Sequence, residues 1–158
     1  MDSNKTHITV LDVANWFLAK SKDEGVDLRH MKLQKLVYFA YGWYSVDMDE
    51  PLFSEQVCAW PHGPVVEDLY QKYKLFKKNP IEVDDISYPP VSEEVRSILE
   101  EVWEIYSPCT DTHLRNITHR HEAPWSKVYN NRDRNIEIPY SDIQNYFKTL
   151  KNKYDNGN

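Results

Sequence analysis

The chain alternates between segments whose apolar residues recur at helical spacing and short polar breaks. Val10, Val13, Ala14, Phe17 and Leu18 fall at i, i+3, i+4, i+7 and i+8, one face of a helix. Thr9 and Asp12, a variant of the capping-box pair, predict its start, and Gly25 in KDEGVD its end. Met31 to Val46 predicts a second helix that is apolar on nearly every side. Leu33, Leu36, Val37, Ala40 and Tyr44 form one stripe, while Tyr38, Phe39, Tyr41 and Trp43 cover much of the rest. Such a helix belongs at the centre, packed by several others. Its polar residues, Lys32, Gln34 and Lys35, gather at the N-terminal end, where it is expected to leave the core.

Beyond the turn-rich DMDEPLFS segment, Val57-Cys58-Ala59-Trp60 is a short β-leaning run. Pro61-His62-Gly63-Pro64 stops it in a sharp turn, and Gly63 and Pro64 are expected to aim a third helix. That helix carries Val65, Val66, Leu69, Tyr70 and Tyr73 inward and ends among Lys72, Lys74, Lys77 and Lys78. After an acidic, proline-bounded connection, Ser92 caps a fourth helix with the stripe Val95, Ile98, Leu99, Val102, Trp103 and Tyr106. Thr110 or Asp111 opens a fifth, Pro124-Trp125 a short one, and Ser141 a last helix with Ile143, Tyr146, Phe147 and Leu150. Ile136 to Ile138 alternates like a brief strand able to pair with Val57 to Trp60. The expected fold is mainly α: a single compact bundle of about six helices with a small two-stranded β element. It forms one domain over residues 1–150, and the tail 151–158 is expected to fray.

Composition narrows the function classes. With 158 residues, 41% hydrophobic and 13% aromatic, the chain has apolar content for one real core. Nineteen Lys and Arg against 25 Asp and Glu leave a net charge of -6, which disfavours a protein that coats nucleic acid. Cys58 and Cys109 are too few for a disulfide scaffold or a four-thiolate zinc site. The longest apolar stretch, Leu36 to Tyr44, is far shorter than the roughly 20 residues a membrane span needs. Asp2 and Asp12 stand where a signal peptide wants a basic start and an apolar core, so a cytoplasmic, soluble protein is expected.

His113, Thr118, His119, His121 and Glu122 form the densest polar group. On a helix, His119 and His121 point about 200° apart and cannot share an ion. Capping and hydrogen bonding near a helix end is the plainer role; a metal-dependent hydrolase using His119, His121 and Glu122 is the enzymatic alternative. Cys58 reads as a small core residue, and Cys109 has no identifiable partner for nucleophilic work. Four glycines form no phosphate-binding loop. Glu93, Glu94, Glu100, Glu101 and Glu104 lie off the apolar stripe of the fourth helix, either as a solvated face or as an acidic surface for a basic partner. The lysines ending the third helix, interleaved with Tyr70, Tyr73 and Phe76, read as cations favoured by the helix dipole rather than a stacking platform for single strands. Eleven tyrosines and five tryptophans exceed what a small core needs, so some belong on a partner surface.

Three segments carry a family resemblance. They are Met31-Lys32-Leu33-Gln34-Lys35-Leu36-Val37-Tyr38-Phe39 with Gly42-Trp43-Tyr44; Pro51-Leu52-Phe53 leading to Ala59-Trp60-Pro61-His62-Gly63-Pro64-Val65-Val66; and Thr118-His119 followed by Glu122-Ala123-Pro124-Trp125. Together, over about Val10 to Phe147, they resemble the Panacea domain of the SocA-like antitoxin family, which includes GepA-like phage-associated proteins. The resemblance implies a non-enzymatic module that neutralises a cognate toxin of a toxin–antitoxin system by direct contact, and a phage- or mobile-element-associated protein is expected. An adaptor delivering a bound protein to a protease is the alternative, with a protease or chaperone as further partner. No catalytic residue, cofactor or metal carries over. Lys35, Trp60, His62 and Trp125 are the motif members expected to be partly exposed. With His119, Glu122 and the acidic Glu94, Glu101 and Glu104 they make the expected partner surface.

Overall fold

Thr9 starts the first helix as its residue pattern requires: its hydroxyl accepts from Asp12 N–H while the Asp12 carboxylate accepts from Thr9 N–H. In the computed structural model, which describes residues 8–133 and 135–157, this helix is α1, Val10–Glu24. Gly25 ends it in the left-handed region at φ 68°. The stretch inspected for a signal peptide begins in residues 1–7, outside the described residues.

Helix α2, His30–Met48, is central as expected, buried over most of its length and packed by α1, the β-sheet and four later helices. These are α3 (Glu67–Tyr73), α4 (Glu93–Tyr106), α5 (Asp111–Thr118) and α7 (Tyr140–Asp155). A short α6, Pro124–Val128, joins α5 to α7. Phe147 of α7 lies so close that a Cβ on Gly42 would meet its ring, so that glycine sets the α2–α7 approach. All six stripe residues of α4 are buried, and Ser92 and Thr110 cap α4 and α5 as the sequence indicates.

The protein is mainly α, with seven α-helices among the described residues. Its β element differs from expectation. The sheet has three strands in the order β2-β1-β3: β1 is Cys58–Trp60, β2 Gly63–Val65 and β3 Ile136–Glu137. The expected pairing of the Ile136 run with the Val57 run is present, Ala59 opposite Ile136. The third strand arises because the chain after Gly63 folds back on β1 before turning helical. Val65 therefore lies in a strand, Val66 caps, and α3 begins only at Glu67. A proline tolerates this because β2 is an edge strand. The last helix also outruns the expected fraying point, continuing to Asp155 with Tyr154 6.2 Å from Trp43.

Candidate partner-binding site

The β1–β2 hairpin turn is the meeting point of the second and third motifs. Trp60 pairs with Gly63 across Pro61 and His62, and Gly63 takes a φ of 128°, which an L side chain rarely adopts. A Cβ there would also lie 3.2 Å from the Thr118 hydroxyl of α5. Glycine is needed both for the turn and for the close approach of α5.

Residues some 60 positions along the chain then clamp the turn. Trp125 Nε1 donates to the Trp60 carbonyl at 2.6 Å. The His119 ring sits between two carbonyl oxygens, with Nδ1 2.8 Å from Arg115 O and Nε2 3.2 Å from Pro61 O. A neutral imidazole has one N–H to donate, so one form satisfies one contact and the doubly protonated ring satisfies both. The His119 ring packs on Trp125 with centroids 3.7 Å apart, and Trp125 stacks on Tyr129 at 4.6 Å. Trp60 is held on its other side: Nε1 donates to Asn135 Oδ1 at 2.7 Å and the ring lies edge-on to Tyr70.

Of the expected surface residues, Trp60, His119 and Trp125 are half-buried, and His62 and Glu122 are exposed. His62 stands at the tip of the turn. His121 is exposed, and Glu122 makes no hydrogen bond or ion pair among the described residues. His119 and Glu122 thus do not act on each other. Among the described residues no three His, Cys, Asp or Glu side chains are placed to hold a metal ion. Glu94, Glu101 and Glu104 are exposed on α4, whose principal neighbours are α1 and α2, so they form a patch separate from the hairpin. Glu100 departs from the free acidic face by pairing with Lys20 at 2.8 Å.

Lys35 corrects an expectation. It is 3% exposed, and Gln34 1%, so the start of α2 does not leave the core. Hairpin, α3 and α5 close over it. Gln34 earns its burial by reproducing a backbone partner: its amide donates to Val66 O at 3.1 Å and accepts from Val66 N–H at 2.9 Å. Lys32 donates to the carbonyls of Ser107 and Cys109 just past α4. Lys35 has no hydrogen bond or ion pair among the described residues. Burial, partly offset by the Asp111 carboxylate, pushes its ammonium pKa down to about 8. His30, 5% exposed, leaves both ring nitrogens without partners, and burial lowers its pKa too.

Sequence reasoning missed Asn135, Tyr70, Thr118 and Tyr129 as parts of this platform. Thr118 stood inside a motif, but nothing in the spacing shows that its hydroxyl faces a glycine. Asn135, at φ 56°, has only the turn preference of its residue type as a signal.

The model of the antitoxin SocA-like family, Panacea domain, matches residues 33–126, which is more than half of the chain. The chain belongs to that family. A relative, Antitoxin SocA of Caulobacter vibrioides (strain NA1000 / CB15N), is 27% identical over 137 residues, covering 80% of this chain and 73% of that protein. No solved structure matches. The matched span of this Panacea-domain protein includes α2 from Leu33 onward, the hairpin and the Thr118–Trp125 segment, the three pieces that build the platform.

Proposed function

We propose that this family member is an antitoxin that neutralises a cognate toxin by direct contact, using the hairpin platform as its recognition surface. The observation that carries the reading is convergence: two motifs far apart in sequence meet at one turn, and aromatic rings tied to backbone carbonyls hold that turn in place. A fixed aromatic surface loses little conformational freedom on docking, which is how half-buried Trp side chains serve as anchors. The acidic stripe of α4, Glu94, Glu101 and Glu104, speeds encounter with a basic partner without belonging to the anchor.

Co-expression with the product of the neighbouring reading frame tests this. The expected result is a growth arrest relieved by the wild-type chain and not by the double variant His62→Glu, Glu122→Lys. Both substitutions lie on exposed residues, so the far-UV circular dichroism should be unchanged. Full rescue by the folded variant overturns the platform. Toxin abundance decides the mode: a level unchanged by the antitoxin supports occlusion, and protease-dependent loss replaces it with delivery.

A further inference from the structure

Two cations without an anion border the seam where α5 lies against the hairpin. Lys35 comes from α2, which packs on both β2 and α5, and it is 3% exposed. Arg115 stands exposed on α5. The ion pairs among the described residues join Lys20 to Glu24 and Glu100, Arg96 to Glu93 and Lys151 to Asp155, and include neither of the two. Asp111 precedes Arg115 by four residues, the spacing at which a helical pair joins, yet these two stay apart. The Asp111 carboxylate supports the Lys35 charge and the Arg115 guanidinium opposes it, so both bear on the ammonium without closing on it.

Lys35 is covered along its stem rather than at its tip. Among the described residues, the polar side-chain atoms sealed from solvent without a partner belong to His30, Glu55, Tyr140 and Tyr146, and the Lys35 Nζ is not one of them. The long stem lies under α5 and the hairpin while the charged end reaches the surface of the seam. An ammonium held there with no acceptor is costly. The local charge also departs from that of the whole chain. Between Asp111 and Val128 three Arg and Lys stand against two Asp and Glu, in a protein of net charge -6, and His62 is exposed at the neighbouring turn.

We propose that this seam seats an acidic side chain of the partner: an Asp or Glu of the toxin places its carboxylate between the Lys35 ammonium and the Arg115 guanidinium. The inference rests on the hairpin platform being the toxin-binding surface and adds the chemistry of what docks beside it. A guanidinium fork takes two carboxylate oxygens and the ammonium adds a point charge. A basic side chain would bring a third cation, and an apolar one would seal the ammonium without an acceptor. The toxin therefore carries charge of both signs, a basic region for the α4 stripe and an acidic anchor for the seam.

The test uses the full chain and the toxin encoded in the neighbouring reading frame, with calorimetry of their complex. Lys35→Met should weaken the complex by about thirtyfold or more, while the free variant melts no lower than wild type, so misfolding does not explain the loss. Arg115→Gln, at the exposed rim, should weaken it several-fold. Neutralising the toxin's Asp and Glu residues one at a time should find one whose effect does not add to that of Lys35→Met. Proton uptake is a readout that packing alone does not move. The free Lys35 ammonium, lowered to about 8 by burial, is half deprotonated at pH 8, and a carboxylate beside it restores the proton. Wild type should then take up about half a proton more per complex at pH 8 than Lys35→Met. The charged groups that face Lys35 are Asp111 and Arg115 of α5, with His30 five residues back on α2; β2 carries no titratable side chain. Undiminished binding by Lys35→Met, equal proton uptake in the two chains, or strict additivity with every toxin carboxylate overturns the acidic anchor. The platform survives that result if the His62→Glu, Glu122→Lys variant still fails to bind. Absence of any complex with the wild-type chain overturns both.

Discussion

The hairpin platform and the first turns of α2 are adjacent, yet they treat polar groups in opposite ways. On the platform Trp60, His119 and Trp125 each find a partner, and the cost of burying half a polar side chain is met by backbone carbonyls and Asn135. Under it, within two turns of one helix, two satisfied residues sit between two unsatisfied ones. Lys32 and Gln34 hold α4 and the approach to α3, whereas His30 and Lys35 hold nothing. A single sequence motif therefore mixes residues that stabilise the fold with one that works against it. Residue type does not tell them apart; only the position of the partner backbone does.

Replacement of the satisfied member should have the largest effect. Gln34→Leu strands both backbone groups of Val66 in the core, and chemical denaturation should show a loss of about 4 kcal/mol, from two buried groups at about 1–3 each. The unsatisfied neighbour should respond with the opposite sign. A fall from 10.5 to about 8 corresponds to a burial penalty of about 3 kcal/mol at one pKa unit per 1.36, so Lys35→Met should stabilise by up to that amount at pH 7. The folded-state pKa is the lower one, so the penalty is complete below pH 8 and fades as pH rises to 10.5. The gain from Lys35→Met should fade with it; a gain constant across that interval would show that packing, not charge, was relieved. His30 shifts in the same direction on the acid side: its stability contribution is lost as pH falls below 6.5, and His30→Phe should flatten that limb.

On the platform the effect is smaller and local. Trp125→Phe keeps the stack on His119 and Tyr129 but removes the donor to Trp60 O, costing about 1 kcal/mol and speeding amide exchange across β1 and β2. Charge reversal of Glu94, Glu101 and Glu104 together touches neither region. Stability should change by about 0.5 kcal/mol or less per exposed site, while association with the toxin slows most at low salt. An unchanged association rate would remove α4 from the encounter.

Most of the helical frame was legible. The Thr9, Ser92 and Thr110 caps, Gly25 and the α4 stripe all act as their residue types and spacing indicate, because caps and periodicity are local. The brief strand at Ile136 was legible from alternation. The hairpin's second strand was not, since Gly63-Pro64-Val65 is too short to alternate and Val65-Val66 fits a helix face equally well. Burial of Lys35 was hidden for another reason. Its cover comes from α5 and the hairpin, distant in sequence, and charged residues at a helix end ordinarily signal exposure. The platform residues were partly legible through the motifs, but their partners Asn135 and Thr118 became visible only in space.

One consequence of Pro64 concerns how another chain can dock. In a two-residue hairpin the closing pair Trp60–Gly63 faces across the turn, so the next residue, Pro64, turns its backbone away from β1, on a strand whose three residues are all buried. It has no N–H to offer there, and β2 is three residues long. An incoming polypeptide cannot zip onto this margin as a fourth strand, the route by which many unrelated extended peptides are captured without regard to their side chains. Whatever settles beside the turn has to be recognised by shape and chemical detail, which makes the surface selective by construction.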